Sequence, residues 1–156
     1  MVIQRWQSVL LLIATILMGC FTFFSLGQIQ GTEFTYNFTA LGFTPEGIPT
    51  DSAAEGEVIR TWELFIVSLM SAVLPFISIF LFKNFKAQIR LCNIELMFII
   101  VTSVLAVKRG YDFANGADLE WTTWIIAAPV SLIAVIAALR CIKSDRRKLM
   151  SVDRLR

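Results

Sequence analysis

The run WTTWIIAAPVSLIAVIAAL, residues 121–139, carries no charged side chain, and Arg140 immediately after it opens a tail holding seven Lys/Arg to Arg156. Nineteen residues make a helix about 28 Å long at ~1.5 Å per residue, which matches a hydrocarbon core ~30 Å thick. A run too apolar for water followed by a block of cations reads as a membrane span with its exit held on the cytoplasmic side. Three further runs repeat the pattern. Trp6 to Leu26 and Leu64 to Phe82 are uncharged, and Leu91 to Val107 is interrupted by Glu95 alone. The spans are therefore placed at about 6–26, 64–82, 91–107 and 121–139, the third being the weakest.

Composition agrees. Hydrophobic residues make up 56% of the 156 and charged residues only 17%, with 13 Phe and 4 Trp, and the mean hydropathy is +0.70. Soluble domains carry roughly 25% charged residues, and a core of this size has no room for so many aromatic rings. The expected fold is an all-α membrane protein, a four-transmembrane-helix bundle in one domain, with a small extracytoplasmic loop or hairpin cap over residues 27–63 and a basic cytoplasmic tail over 140–156.

Charge sets the orientation. Four spans place Arg5, Lys83, Lys86, Arg90 and the seven basic residues of the tail on one side, and only Arg60, Lys108 and Arg109 on the other. Lys and Arg concentrate on the cytoplasmic side, so both termini are expected there. The first span also resembles a signal sequence, with Leu17-Met18-Gly19-Cys20 near the pattern of a lipoprotein cleavage site. The apolar run continues past Cys20 through Phe24 and Leu26, where a lipoprotein turns polar, so an uncleaved span is the better reading.

The cap is too long for a tight turn, and such loops usually have structure of their own. Phe34, Tyr36 and Phe38 alternate with polar neighbours, the period of a half-buried strand. Gly42, Pro45, Gly47 and Pro49 read as turn residues, and Asp51 to Glu57 has a helical tendency. A short hairpin over the mouth of the bundle is expected.

Chemistry-bearing patterns are sparse. Histidine is absent, and the three cysteines, Cys20, Cys92 and Cys141, form no C-x-x-C pair. No metal site, cofactor site or nucleophile–base constellation is expected, and the chain is read as not an enzyme. Small residues at Ala127, Ser131, Ala134 and Ala138 mark one face of span four, and Ser68, Ser71, Ala72 and Ser78 mark span two. Such faces let helices approach closely in lipid. Pro75 and Pro129 lie inside spans and are expected to kink them. Glu95 is the one acid inside a span and so a candidate functional residue. A shallow position facing the headgroups, paired with Arg90 or Arg5, is the favoured reading of it. In the tail, Ile142, Leu149, Val152 and Leu155 interleave the cations, which suits an anionic inner leaflet. Asp145 and Asp153 are expected to form salt bridges there, and nothing in the tail calls for nucleic acid.

Three segments, MVIQRWQS (1–8), KNFKAQIRLC (83–92) and SVDRLR (151–156), resemble a family of four-span inner-membrane proteins of Bacteroidetes-type bacteria, a domain of unknown function. The resemblance implies an inner-membrane location and supplies no catalytic residues. All three segments fall on the cytoplasmic face, where Gln4, Arg5, Gln88, Arg90, Asp153 and Arg154 are expected to meet as one polar cluster. The functional expectation is a structural or accessory membrane component acting by helix packing and its basic face, with a membrane-protein partner or a second copy as its associate. The alternative is a small transporter or lipid-handling protein using Glu95 and the Pro75 and Pro129 kinks.

Overall fold

The structure, a computed structural model, describes residues 3–30, 35–46, 59–81 and 84–153, leaving out the side chains of Ile3, Gln4, Arg5, Leu149, Ser151, Val152 and Asp153. Helices dominate: α1 Ile3–Phe23, α2 Trp62–Phe80, α3 Phe85–Ala114 and α4 Ala127–Asp153. All four include stretches long and apolar enough to cross a membrane. Contacts join α1 to α2 and α4, and α3 to α2 and α4, so the helices close a cycle in chain order.

Small side chains let them close. The inward stripe of α4 holds Ala127, Ser131, Ala134 and Ala138, all buried, and α2 turns Ser68, Ser71 and Ser78 inward. Larger side chains of α1, among them Leu11, Met18 and Phe21, fill the remaining interior. The outward faces carry Phe23, Ile66, Phe76, Met97, Val104 and Ile133, all exposed. A soluble protein rarely shows so continuous an apolar surface.

Among the described residues five strands, rather than a single hairpin, sit at one end of the helices. They are β1 Gly27–Gln30, β2 Thr35–Thr39, β3 Gly42–Glu46, β4 Ile59–Arg60 and β5 Asp118–Trp121, in the order β4-β3-β2-β1-β5. All pairings are antiparallel, and β5 reaches across from the α3–α4 connection to pair with β1, Gln28 opposite Glu120. The fold is thus mostly helical but not all-α. Gly42 and Pro45, read from sequence as turn residues, belong to β3. Gly42 takes φ +144, and a Cβ there would meet the Ile59 carbonyl oxygen, so the close approach of β4 requires glycine. Phe34, Gly47, Pro49 and the segment 51–57 lie outside the described residues.

Aromatic packing seats the sheet. Phe38 stacks on Phe43 (centroids 4.6 Å apart), Phe43 on Phe113 of α3 (3.9 Å), and Tyr36 meets Phe113 edge-on (5.2 Å). Such pairs contribute ~0.5–1.5 kcal/mol each beyond the area they bury. To carry them, α3 runs past the Val107 limit set by apolarity and ends at Asn115, a left-handed C-cap with φ 41. Hydrogen bonds to backbone carbonyls fix the rest: the Leu26 amide donates to the Phe38 carbonyl (2.7 Å), the Thr122 amide to the Leu26 carbonyl (2.9 Å), and the Thr61 side-chain hydroxyl to the Ala40 carbonyl (3.1 Å). On the rim, Arg109 at the end of α3 donates to Glu63 at the start of α2.

One sequence expectation changes. Pro129 stands in the first turn of α4, after a 3-10 turn over Thr123–Ile126. A proline is tolerated there because its missing N–H has no intrahelical acceptor to lose, so it does not break a span. Pro75 does lie inside α2. Residues 140–153 of the basic tail continue α4 directly, and the 27 residues of that helix extend about 40 Å.

Candidate functional site

The polar groups of the helical interior gather toward the end opposite the sheet. On α3, Gln88, Cys92, Glu95, Ile99, Thr102, Ala106, Gly110 and Ala114 are all buried. Their spacing of three and four keeps them on one face, and the polar members crowd its first half. Serines of α2 answer them. Gln88 Nε2 donates to the Ser78 carbonyl (3.3 Å), Ser78 Oγ lies 3.6 Å from Cys92 Sγ, and Ser71 Oγ lies 3.1 Å from Thr102 Oγ1. Leu81 also donates its amide to the Ser78 carbonyl, so Gln88 adds a second donor at the C-terminal end of α2.

Glu95 sits between these pairs, one turn beyond Cys92, and is completely buried. Neither carboxyl oxygen has a hydrogen-bond partner among the described residues, and Gln88 Oε1 is also unpartnered. Burying a polar group without a partner costs about 1–3 kcal/mol in proteins, and structures keep few of them. The headgroup-facing orientation inferred from sequence is therefore overturned. Glu95 points into the helices, whereas Arg90, five residues earlier and about 140° away around the helix, is exposed.

The opposite seam, between α1 and α4, also holds a buried polar contact. Gln7 of α1 donates to Asp145 of α4, both buried at 3% and 8% exposure. Among the described residues Asp145 forms this amide hydrogen bond and not the salt bridge expected of it. The reason is geometric: Asp145 continues the inward stripe of Ala134, Ala138 and Ile142 and faces α1 rather than the solvated cations.

Of the six residues expected to cluster, Arg154 lies outside the described residues, as do the side chains of Gln4, Arg5 and Asp153. The remaining two do not meet. Gln88 is buried and Arg90 exposed, because a separation of two turns a helix by about 200°. The pair Gln7–Asp145 and the partner Thr102 were missed by sequence reasoning. An acid standing alone in a basic run, in register with a small-residue stripe, was the available signal for the first.

No group of three metal-binding side chains forms among the described residues, and Cys20, Cys92 and Cys141 are free thiols. The Glu95 carboxyl has no hydrogen-bond donor directed at it among the described residues, so chemically it can take a proton or a cation. A family model for a domain of unknown function, DUF4293, matches residues 3–155, and the chain belongs to that family. No curated protein matches it.

Proposed function

We propose that this member of the DUF4293 family is a bacterial inner-membrane protein that crosses the bilayer four times with both termini in the cytoplasm. Its role is that of a non-enzymatic structural or accessory component, acting by helix packing and through its basic cytoplasmic face. The observation that carries this reading is the apolar belt on the outward faces of all four helices, bounded by basic residues chiefly at the end away from the sheet. Aromatic residues support the same limits. Trp6 is exposed at that end, and Trp62, Tyr111 and Trp124 are exposed near the sheet, as in the aromatic belts at bilayer interfaces.

Labelling tests the topology. In a chain whose native cysteines are replaced by alanine, Thr44→Cys on the sheet should react with an impermeant maleimide in spheroplasts. Ser144→Cys on the tail should react only after lysis. The reverse pattern overturns the orientation, and equal reaction of both in spheroplasts overturns the membrane reading.

One observation favours a second reading, the small transporter. Glu95 and the Ser71–Thr102 and Ser78–Cys92 pairs make a polar line along the α2–α3 seam, where an ionisable group within a membrane is by default a functional candidate. A hydrophobic carbodiimide should modify Glu95 in membranes if protons or cations reach it. Peptide mapping that finds Glu95 unmodified counts against transport and for a sealed, packed interior.

A further inference from the structure

The tail of α4 is not a uniform basic helix. At about 100° per residue, Lys143, Arg146, Arg147 and Met150 fall within an arc of roughly 100°, and Asp145 lies nearly opposite, held inward by Gln7. The one acid within this stretch is thereby withdrawn, and the opposite arc, with Lys143 and Arg147 exposed and Arg146 half-buried, presents three cations and no anion. Across from it, Ile89 of α3 closes a groove of about 300 Å³ lined by Ile89, Lys143, Arg146, Arg147 and Met150. Three cationic heads and two apolar side chains share one concavity.

Its depth is as telling as its charge. Arg140 closes the apolar run that ends at Leu139, and at ~1.5 Å per residue the groove residues of α4 lie about 5–15 Å beyond it. The groove therefore stands where the apolar core gives way to phosphates in the topology proposed above.

We infer that this groove is a binding site for the headgroup of an anionic phospholipid, one molecule per chain, an inference that rests on the membrane reading. Arg146 and Arg147 hold the phosphodiester oxygens with the paired N–H donors of guanidinium groups, and Lys143 adds a third positive charge. Ile89 flanks the glycerol, and Met150, on the cytoplasmic side of the three cations, packs against the rest of the headgroup. A choline headgroup brings its own cation against three others and is disfavoured, so the site selects net-anionic lipid such as phosphatidylglycerol.

The test uses the full chain in a mild detergent, titrated with phosphatidylglycerol or phosphatidylcholine, with lipid adducts counted by native mass spectrometry. Phosphatidylglycerol should saturate at one retained molecule and bind at least about tenfold more tightly than phosphatidylcholine, as three basic residues near a membrane surface allow. The triple variant Lys143→Gln/Arg146→Gln/Arg147→Gln should bring the two lipids to within about threefold of each other, and Met150→Glu alone should weaken phosphatidylglycerol by about tenfold. Arg60→Gln, at the sheet end, should leave retention unchanged. Equal binding of the two lipids by the native chain, or undiminished retention in both groove variants, overturns the site. Displacement of the lipid by millimolar inorganic phosphate overturns the lipid assignment and makes free phosphate the ligand. Reversed labelling of Thr44→Cys and Ser144→Cys would overturn the orientation while leaving selective lipid retention intact, so the two failures are separable.

Discussion

Replacing Gly110 with alanine sets two effects of opposite sign against each other. Gly110 lies inside α3, and glycine to alanine in an unobstructed helix gains about 1 kcal/mol of stability. An alanine Cβ at this position, however, would stand 2.7 Å from Trp121 Cη2 and 3.3 Å from Leu119 Cδ2. Carbon atoms rest about 3.5–4.0 Å apart, so the indole must retreat by roughly 1 Å. It has little room, since Phe38 and Tyr111 meet it edge-on (centroids 6.4 and 6.0 Å away) and its strand is paired to β1. Overpacking of this kind costs ~1–3 kcal/mol, which outweighs the helical gain. A net loss of about 1 kcal/mol corresponds to a midpoint lower by ~2–4 °C. The assay is thermal unfolding in detergent, followed by tryptophan emission. Gly19→Ala in α1 is the control, because no heavy atom lies within 4 Å of its added Cβ, and only the helical gain remains. A rise in midpoint for both variants alike would refute the seating of β5 on α3.

Other substitutions probe the polar interior and the rim. Asp145→Ala strands the buried Gln7 amide and should cost ~1–3 kcal/mol, whereas Asp145→Asn keeps an acceptor oxygen and should lose less than ~1 kcal/mol; equal losses would mean that the hydrogen bond is not the stabilising contact. Glu95→Leu removes two buried oxygens that have no partner and should raise stability by about 1 kcal/mol or more, so a lower melting point would reveal a partner for the carboxyl. Glu63→Gln breaks an ion pair whose side chains are 41% and 48% exposed. Water and salt screen such pairs, so the change should stay below ~1 kcal/mol and shrink further in 1 M salt. A larger loss would show that Arg109 fixes the α2–α3 rim.

The helices were legible in the sequence because lipid makes a strict demand, about twenty apolar residues without a charge. That demand reports only the membrane-buried portion of a helix. Lys108, Arg109 and Asp112 made α3 look finished at Val107, yet it continues to Ala114 to place Phe113 beneath the sheet. The alternation around Tyr36 and Phe38 marked β2 correctly. Strands β1 and β5 carry four residues each, too short for a period to be read, and their pairing joins positions about ninety residues apart. In the interior, Glu95 stood out because a lone acid in an apolar run is conspicuous. Its inward orientation was not visible, since the nearby Arg90 suggested an exposed pair and only the full stripe from Gln88 to Ala114 shows which face is buried. Gln7 and Asp145 are 138 positions apart, and neither is unusual beside its own neighbours.

The pairing of β5 with β1 also imposes a timetable on biogenesis. The first four strands leave the ribosome together with α1 and α2, but β1 keeps a bare edge until Asp118–Trp121 has been made. At ~5–20 residues per second, that wait lasts about 5–20 s. In the proposed topology the α3–α4 connection must also be translocated before it can add its strand. Until then the unfinished edge is open to another nascent copy or to a chaperone, so any factor that helps this chain mature should act on that face and in that interval.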